Sequence, residues 1–405
     1  MTGPVVFVEP ATEHAGHWQD AVIKLATAAT AQGHQTVVVT LNGIPGHIHD
    51  ALREHGIRVA PRTEGPSSRF LALLGGAAHR TATAARCLLP HRRLPHQITL
   101  LARCLIEAAS LRTAHHTLGR SPEVAVVLTA SEALHGLTRA LSRTRHLRVV
   151  HEVITTEDGL IRALGRLTRP GEVTVLCPTA AVQGEISILF PDLNTDVHPF
   201  ALAIPEDRIT ADERTHARRA LAIPQGEPVL CLVGGWWPHK DMATVAAALE
   251  RLTRPLHVLV AGGPTDPVLM HQVATAPNVT LHTRPGSLTP ADIRQVYAAS
   301  DFTAVIRHPG VGKESGLVAD CARLGVPLLL SDHDRDLTSR VHGWAVVVPP
   351  RDPAALAYAI DHAATHPPSM PPLTAAEDLG LCTPAQMLAL FRELSDTLAA
   401  KEPTP

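Results

Sequence analysis

Residues 302–332, FTAVIRHPGVGKESGLVADCARLGVPLLLSD, contain a complete strand–helix–strand pattern that decides the fold class of this chain. The apolar run at each end predicts a buried strand, and Ser315 is a good N-cap for a helix between them. Gly325 and Pro327 would end that helix before the second strand. Its apolar residues recur at helical spacing: Leu317, Val318, Cys321 and Leu324. Two buried strands joined by a helix predict a parallel sheet in an α/β fold.

The same alternation of strands and helices extends over most of the chain. In the N-terminal half, apolar runs predict strands at PVVFVEP, QTVVVTL, EVAVVLT, LRVVHEV and EVTVLCP. A second series begins near residue 228 and includes PVLCLVGG, LHVLVAGG, NVTLHT and WAVVVPP. Continuous apolar strands are typical of parallel sheets that are covered on both faces. We therefore predict two doubly wound, Rossmann-like domains.

A proline-flanked segment, residues 199–228, separates the two series of strands. A boundary inside this segment predicts a first domain over residues 1–204 and a second over 205–373. Residues 374–405 are predicted to form a C-terminal helix that crosses back to the first domain, followed by a tail. Two such domains would face each other across a cleft at the carboxyl ends of their sheets, where open α/β sheets bind ligands.

The composition argues against several classes of protein. The 405 residues carry a formal net charge of −2, so no overall positive field would draw the chain to nucleic acid. Six scattered cysteines without a CxxC motif indicate reduced thiols, and the N-terminus has no signal-peptide pattern. No apolar stretch is long enough to span a bilayer. We expect a soluble, cytoplasmic protein.

A metal site is not expected either. The 25 histidines are spread along the whole chain, and no HExxH motif or zinc-ligand spacing of His and Cys occurs. The acidic segment SDHDRD, residues 331–336, is explained equally well by turn formation and helix capping. We assign no metal and no cofactor.

Residues 79–120 are unusually basic, with seven arginines and five histidines against one acid, Glu107. Pro90 and Pro95 predict a division of this stretch into two helical pieces. One interpretation is a basic face that contacts an anionic membrane or an acidic acceptor. The other is an ordinary solvated helix face, which we favour because charges on helix faces are common.

The start of the helix after Ser315 is a candidate phosphate site. The first turn of a helix presents free N–H groups and the positive end of the helix dipole. Glu314 and Asp320 flank this turn, and carboxylates are good acceptors for sugar or ribose hydroxyls. Three glycines would allow the backbone to approach a ligand closely: Gly310, Gly312 and Gly316. A capped helix after a strand is also plain architecture, so this segment alone does not decide the function.

A second candidate lies in LVGGWWPHKDMATVAAAL, residues 232–249. A predicted strand ends at Gly234 and Gly235, and Lys240 stands just before a helix. Positive charge opposes the dipole at a helix start, which favours an anionic ligand for Lys240 over a merely solvated lysine. A third candidate is His151, which ends a strand of the first domain in LRVVHEVITTEDG, although a lone histidine there is more often structural.

These segments, taken in order, resemble a GT-B glycosyltransferase of the family 4 type. In that family an arginine and a lysine after the first donor-domain strand grip the diphosphate; Lys240 matches the lysine, and Gly235 stands where the arginine is expected. The family also has two glutamates eight residues apart. Asp320 takes the place of the second, and either Gly312 or Glu314 takes the place of the first. His151 matches the histidine that lies beside the reacting sugar.

The resemblance implies transfer of a sugar from a nucleotide-diphosphate sugar with retention of anomeric configuration, usually without a required metal. It assigns catalytic roles to His151, Lys240 and Glu314. The predicted donor-binding residues are Gly234, Gly235, Lys240, Arg307, Gly312, Lys313, Glu314, Ser315, Gly316, Leu317 and Asp320. The predicted acceptor-binding residues are Glu13, His14, Gly16, His17 and Glu152. We hypothesise that Arg307 or Lys313 replaces the missing arginine, and that a small molecule, lipid or glycan is the acceptor.

Two other functions remain open at this point. One is a different GT-B chemistry, sugar-nucleotide epimerisation or phosphorolysis of a disaccharide. The other is an inactive GT-B-like subunit that binds a partner, which the loss of the arginine at Gly235 and the irregular acidic pair would explain. The composition, rich in Ala, Arg, His and Pro, associates the chain with natural product or glycan biosynthesis.

Overall fold

The chain forms two compact units in a computed structural model that describes residues 3–10, 17–41, 43–88, 93–153, 163, 167, 172–203 and 208–400. The first unit comprises Met1–Leu202 together with Thr383–Pro405, and the second comprises Ala203–Cys382. Residues 374–382 therefore lie with the second unit, and the chain returns to the first unit from Thr383 onwards. Each unit contains one parallel sheet with helices, which confirms the predicted fold class.

The first unit is built on a seven-stranded parallel sheet with the order β3-β2-β1-β4-β5-β6-β7. Its strands are β1 Val5–Val8, β2 Thr36–Val39, β3 Arg58–Ala60, β4 Val124–Val127, β5 His146–Val149, β6 Val173–Cys177 and β7 Asn194–Val197. Its helices before the second unit are α1 His17–Ala31, α2 Gly46–Glu54, α3 Pro66–Leu88, α4 Leu94–Leu118, α5 His135–Ser142 and α6 Ala180–Leu189. The two helical pieces predicted around Pro90 are thus α3 and α4.

The second unit is built on a six-stranded parallel sheet with the order β10-β9-β8-β11-β12-β13. Its strands are β8 Val229–Val233, β9 Leu256–Ala261, β10 Val279–Arg284, β11 Phe302–Val305, β12 Leu328–Ser331 and β13 Ala345–Val348. Its helices are α7 Ala211–Ala220, α8 Met242–Leu249, α9 Pro267–Thr275, α10 Pro290–Ala299, α11 Gly316–Leu324, α12 Arg335–Val341, α13 Pro353–Thr365 and α14 Ala375–Asp378. The strand order reverses between β8 and β11, so ligand-binding loops are expected at their carboxyl ends.

The inner strands are apolar because helices cover both faces of each sheet. All residues of β1, β4 and β8 are buried, and β1 pairs in parallel with both β2 and β4. The last helix, α15 Pro384–Ala400, packs on α1, β4 and β5 of the first unit. Its residues Met387, Leu388 and Phe391 are fully buried there. Within the described part of the chain, no helix is both long and apolar enough to cross a membrane.

Candidate functional site

The loop that follows β8 folds back onto the end of its own strand. Gly234 has a φ of +80°, a left-handed conformation that favours glycine, and a Cβ there would lie 3.3 Å from Nζ of Lys240. The Lys240 ammonium donates a hydrogen bond of 2.9 Å to the carbonyl of Val233, the last residue of β8. The loop therefore holds the lysine at the carboxyl end of the central strand.

Gly235, which replaces the arginine expected from the family, has no space for a side chain. A Cβ at this position would lie 2.7 Å from the carbonyl oxygen of Gly263 and 2.9 Å from Nε1 of Trp237. The loops after β8 and β9 lie this close because Trp236 N–H donates to the carbonyl of Pro264 at 2.7 Å. An arginine at position 235 is therefore incompatible with the packing of these two loops.

Substituting Gly235 by alanine is expected to lower the free energy of unfolding by about 1–3 kcal/mol, because the backbone of Gly263 must move. The control is Gly343→Ala, since Gly343 lies in open space with no left-handed φ, and this change should have little effect. Urea denaturation followed by tryptophan fluorescence measures both, because Trp236, Trp237 and Trp344 report on the second unit. Equal stability of the two variants would contradict the proposed crowding.

A second cation, Arg307, lies beside Lys240. Arg307 follows β11, and a backbone bridge pairs it with Lys240. Its side chain is buried, with 4% exposed, and Nη1 donates to the carbonyl of Lys313 at 2.9 Å. The Nε of Arg307 is buried and has no hydrogen-bond partner among the described residues. This arrangement leaves a buried donor next to the lysine.

Burial lowers the pKa of both cations, and the charge of Arg307 contributes to the shift at Lys240. Burial, and to a smaller extent the charge of Arg307, lower the pKa of Lys240 from its ordinary 10.5 to about 8. Burial also lowers the pKa of Arg307 to about 10, while Asp334 opposes that shift. In the described part of the chain, neither cation forms an ion pair with a carboxylate. Two adjacent, poorly solvated positive charges favour an anionic ligand.

The helix α11 begins as the sequence predicts, with Ser315 as its N-cap. The Ser315 hydroxyl accepts a hydrogen bond from Val318 N–H, and Gly325 ends the helix in a left-handed conformation. Leu317, in the first turn of α11, lines the same pocket as Lys240 and Trp236. The other lining residues belong to β8, α8 and β11: Leu232, Val233, Met242, Val245, Ala304, Val305 and Ile306. The structure thus brings the first turn of α11 and Lys240 to one pocket.

The loop between β11 and α11 is fixed at several points. Gly310 N–H donates to the carbonyl of His333 at 3.0 Å, and its φ of +83° is left-handed. Arg307 holds the loop again through the carbonyl of Lys313. Gly312, Lys313 and Glu314 are half-buried. These contacts place the predicted Gly312–Gly316 segment next to the second cation.

Asp320 lies one turn further along α11 and is already paired. Its Oδ1 accepts from Nε of Arg323 at 3.1 Å and from Nη2 at 2.9 Å, and the carboxylate is buried. Both bonds go to the same oxygen, so Oδ2 is not engaged by Arg323. Binding of a ribose hydroxyl by Asp320 stays a prediction.

In the first unit, His151 lies just beyond the carboxyl end of β5. Its Nε2 is 3.0 Å from the carbonyl of Leu128, and its ring meets Phe200 edge-on with centroids 5.0 Å apart. A carbonyl only accepts, so Nε2 carries a hydrogen and Nδ1 is the acceptor atom of the neutral ring. The backbone of a neighbouring strand end therefore fixes the orientation of the histidine.

Glu9, at the carboxyl end of the same sheet, was not predicted from the sequence as a site residue. It follows β1 directly, is fully buried, and its carboxylate accepts a hydrogen bond from the hydroxyl of Thr129, just after β4. The sequence signal that could have identified Glu9 is a carboxylate directly after the apolar run VVFV. This run is β1, where the strand order of the sheet reverses.

The predicted acceptor residues are only partly described. Glu152 is exposed next to His151, and His17 begins α1. Glu13, His14 and Gly16 lie outside the described residues. Among the residues that the structure does describe, no group of three or more His, Cys, Asp or Glu side chains is placed to hold a metal ion.

Comparison with known proteins assigns a class to this architecture. Residues 227–366, inside the second unit, match the family model Glycosyl transferases group 1. No curated protein sequence matches the chain. Among solved structures, HepE from Anabaena, crystallised with UDP and glucose, has a TM-score of 0.62 at 15% identity, over 98% of this chain and 99% of that one.

Two further solved structures have a similar fold. A glycosyltransferase from Rickettsia africae gives a TM-score of 0.60 at 11% identity, over 99% of this chain and 97% of that one. The N-terminal domain of trehalose-6-phosphate phosphatase from Candida albicans gives 0.63 at 10% identity, over 98% and 97%. At such identities the likeness shows the fold alone.

The chain is a glycosyltransferase with the two-domain GT-B fold. Residues 227–366 of its second unit match the family model Glycosyl transferases group 1, so the resemblance to a GT-B glycosyltransferase is confirmed, without the family 4 detail.

Proposed function

We propose that this glycosyltransferase moves a sugar from a nucleotide-diphosphate sugar to a small-molecule, lipid or glycan acceptor, with retention of anomeric configuration. The observation that carries the proposal is the pocket where Lys240 and the first turn of α11 meet, with Arg307 beside Lys240. Cations and free backbone N–H groups are the partners that a diphosphate requires. HepE, which shares the fold, was crystallised with UDP-glucose, and this supports the same class of donor here.

Lys240 and Arg307 would stabilise the leaving diphosphate. Charge develops on the diphosphate oxygens as the bond to the sugar breaks, and fixed donors in a poorly solvated pocket stabilise that charge more than water does. The N–H groups of Gly316 and Leu317 would bind the same oxygens from the other side. This role would need no metal ion, because Lys240 lines the pocket and Arg307 lies beside Lys240.

The remaining residues complete the proposal. Glu314 would bind hydroxyls of the transferred sugar, and Asp320 would bind the ribose through Oδ2. His151, whose Nε2 donates to the Leu128 carbonyl, would help to orient the sugar. Glu152, together with the residues Glu13, His14, Gly16 and His17, would contact the acceptor.

Donor binding should weaken above about pH 8, because Lys240 has a pKa of about 8 in the empty pocket. A bound diphosphate favours the ammonium form, so the complex forms readily below this pKa and must take up a proton above it. The Kd for UDP is expected to rise by up to about tenfold per pH unit above the pKa. Calorimetry between about pH 7.5 and about pH 9, in buffers of different ionisation enthalpy, measures both the Kd and the proton uptake. A pH-independent Kd would exclude contact between Lys240 and the diphosphate.

The function itself is tested by calorimetry with UDP, GDP and dTDP and with their glucose conjugates, followed by product analysis. We expect tight binding of one nucleoside diphosphate, transfer from its sugar conjugate to an added acceptor, and an unchanged anomeric configuration by NMR. Equal activity with and without EDTA is expected for a metal-independent enzyme. Turnover without acceptor would favour epimerisation, and turnover that requires phosphate and a disaccharide would favour a phosphorylase. The absence of binding to any of these nucleotides would favour an inactive subunit.

A further inference from the structure

Helix α3 carries large apolar side chains on the face that points away from its own unit. Phe70 is 61% exposed, Leu73 71% and Leu88 79%, and Leu74 is exposed as well. The buried residues of α3 lie on the opposite face: Ser68, Leu71, Gly75 and Ala82. The helix is therefore apolar on both sides, which the core of the first unit alone does not require.

The inner face of α3 packs closely against α4. A Cβ at Gly75 would lie 3.0 Å from the side chain of Ile106 and 3.2 Å from the carbonyl of Ala102, so the two helices are in close contact. Arg86 of α3 also donates to the hydroxyl of Thr99 at 3.3 Å. The exposed apolar residues on the outer face are therefore not needed for this contact between the two helices.

The charged side chains around the outer face of α3 are positive. Arg69 and Arg80 project on the flank of the apolar side chains at a spacing of three helical turns, and both are exposed. Residues 66–120 contain a single acid, Glu107, which is buried and paired with Arg148 at 2.5 Å. No carboxylate of this hairpin thus offsets the arginines at the surface.

We propose that the outer face of α3, defined by Phe70, Leu73, Leu74, Leu88, Arg69 and Arg80, docks on the surface of an anionic lipid bilayer. An apolar helix face flanked by arginines is the pattern of helices that lie in the plane of a membrane interface. The apolar side chains insert among the headgroups and the arginines bind lipid phosphates. A second copy of the chain is a poor occupant, since it would bring two positive faces together. The inference is independent of the donor pocket in the second unit.

Vesicle sedimentation of the full chain tests this surface. One set of vesicles contains phosphatidylcholine alone, and a second contains equal amounts of phosphatidylcholine and phosphatidylglycerol. The variants are Phe70→Ser with Leu73→Ser, and Arg69→Gln with Arg80→Gln. The matched control is Ile188→Ser, because Ile188 is 76% exposed on α6 of the same unit. Thermal unfolding confirms that every variant is folded.

The chain is expected to sediment with the anionic vesicles and much less with the neutral ones, and added salt should release it. Each double variant should lower the partition coefficient by about tenfold or more, whereas Ile188→Ser should leave it unchanged. Failure to bind anionic vesicles would overturn the proposal, as would equal binding by the Phe70–Leu73 variant. Self-association that this variant removes, without any vesicle binding, would assign the surface to a second copy instead.

Discussion

Replacement of Lys240 by alanine is expected to lower kcat/KM for sugar transfer by about two to three orders of magnitude. The ammonium lies at the carboxyl end of β8, where it donates to the Val233 carbonyl and faces the pocket shared with Leu317. Its loss removes charge stabilisation that is strongest when the diphosphate leaves. Steady-state kinetics with the donor identified by calorimetry gives kcat and KM separately, and kcat should fall more than the affinity for the donor.

The matched control for this loss of charge is Arg251→Ala. Arg251 is an exposed arginine of the same unit that follows α8, and its side chain donates to the carbonyl of Ala247 at 3.3 Å. Its removal changes the net charge equally but should leave kcat/KM within a factor of about two. Similar losses in both variants would mean that Lys240 acts through the general field of the unit rather than at the diphosphate.

Replacement of Arg307 by glutamine is expected to weaken UDP binding by about tenfold and to lower kcat/KM by about a hundredfold. In the proposed function, Arg307 would supply the second positive charge, because the Gly263 carbonyl leaves no space for an arginine side chain at position 235. Its buried Nε has no hydrogen-bond partner among the described residues and would be a donor for a phosphate oxygen.

A second measurement separates the electrostatic role of Arg307 from a structural one. Arg307 lowers the pKa of Lys240, so its removal should raise that pKa and move the weakening of UDP binding to higher pH. A merely structural role would lower affinity without this shift. Lys313→Ala tests the other candidate cation in the same way. Unchanged UDP affinity in both the Arg307 and the Lys313 variants would refute the hypothesis that either replaces the missing arginine.

The features predicted well from the sequence depend on local signals. The bounds of α11 follow from Ser315, whose hydroxyl accepts from Val318 N–H in the first turn, and from Gly325, whose left-handed backbone ends the helix. The position of Lys240 before a helix likewise depends on neighbouring residues, including the N-cap Asp241. The parallel sheets could be predicted from the continuous apolar strands. A strand that is buried on both faces does not alternate between apolar and polar residues.

Features that depend on contacts between distant segments could not be predicted. The sequence shows only that Gly235 stands where an arginine is expected. The structure shows why a side chain is excluded there: the backbone of Gly263, in the next loop, lies too close. The burial of Arg307 beside Lys240 depends on the pairing of β8 with β11, which are separated by more than sixty residues. In contrast, Asp320 and Arg323 are three residues apart on one helix, so their ion pair could have been predicted from the sequence spacing.

The hydrogen bond from Arg307 to the Lys313 carbonyl has a consequence for donor choice. It joins Arg307, the proposed diphosphate ligand, to the loop that is proposed to bind the sugar. A movement of this loop would therefore also move the Arg307 side chain. Engineering of this enzyme towards a different hexose by changes in residues 310–314 should therefore also alter its grip on the nucleotide. Sugar preference and nucleotide affinity would evolve together here rather than as separable traits.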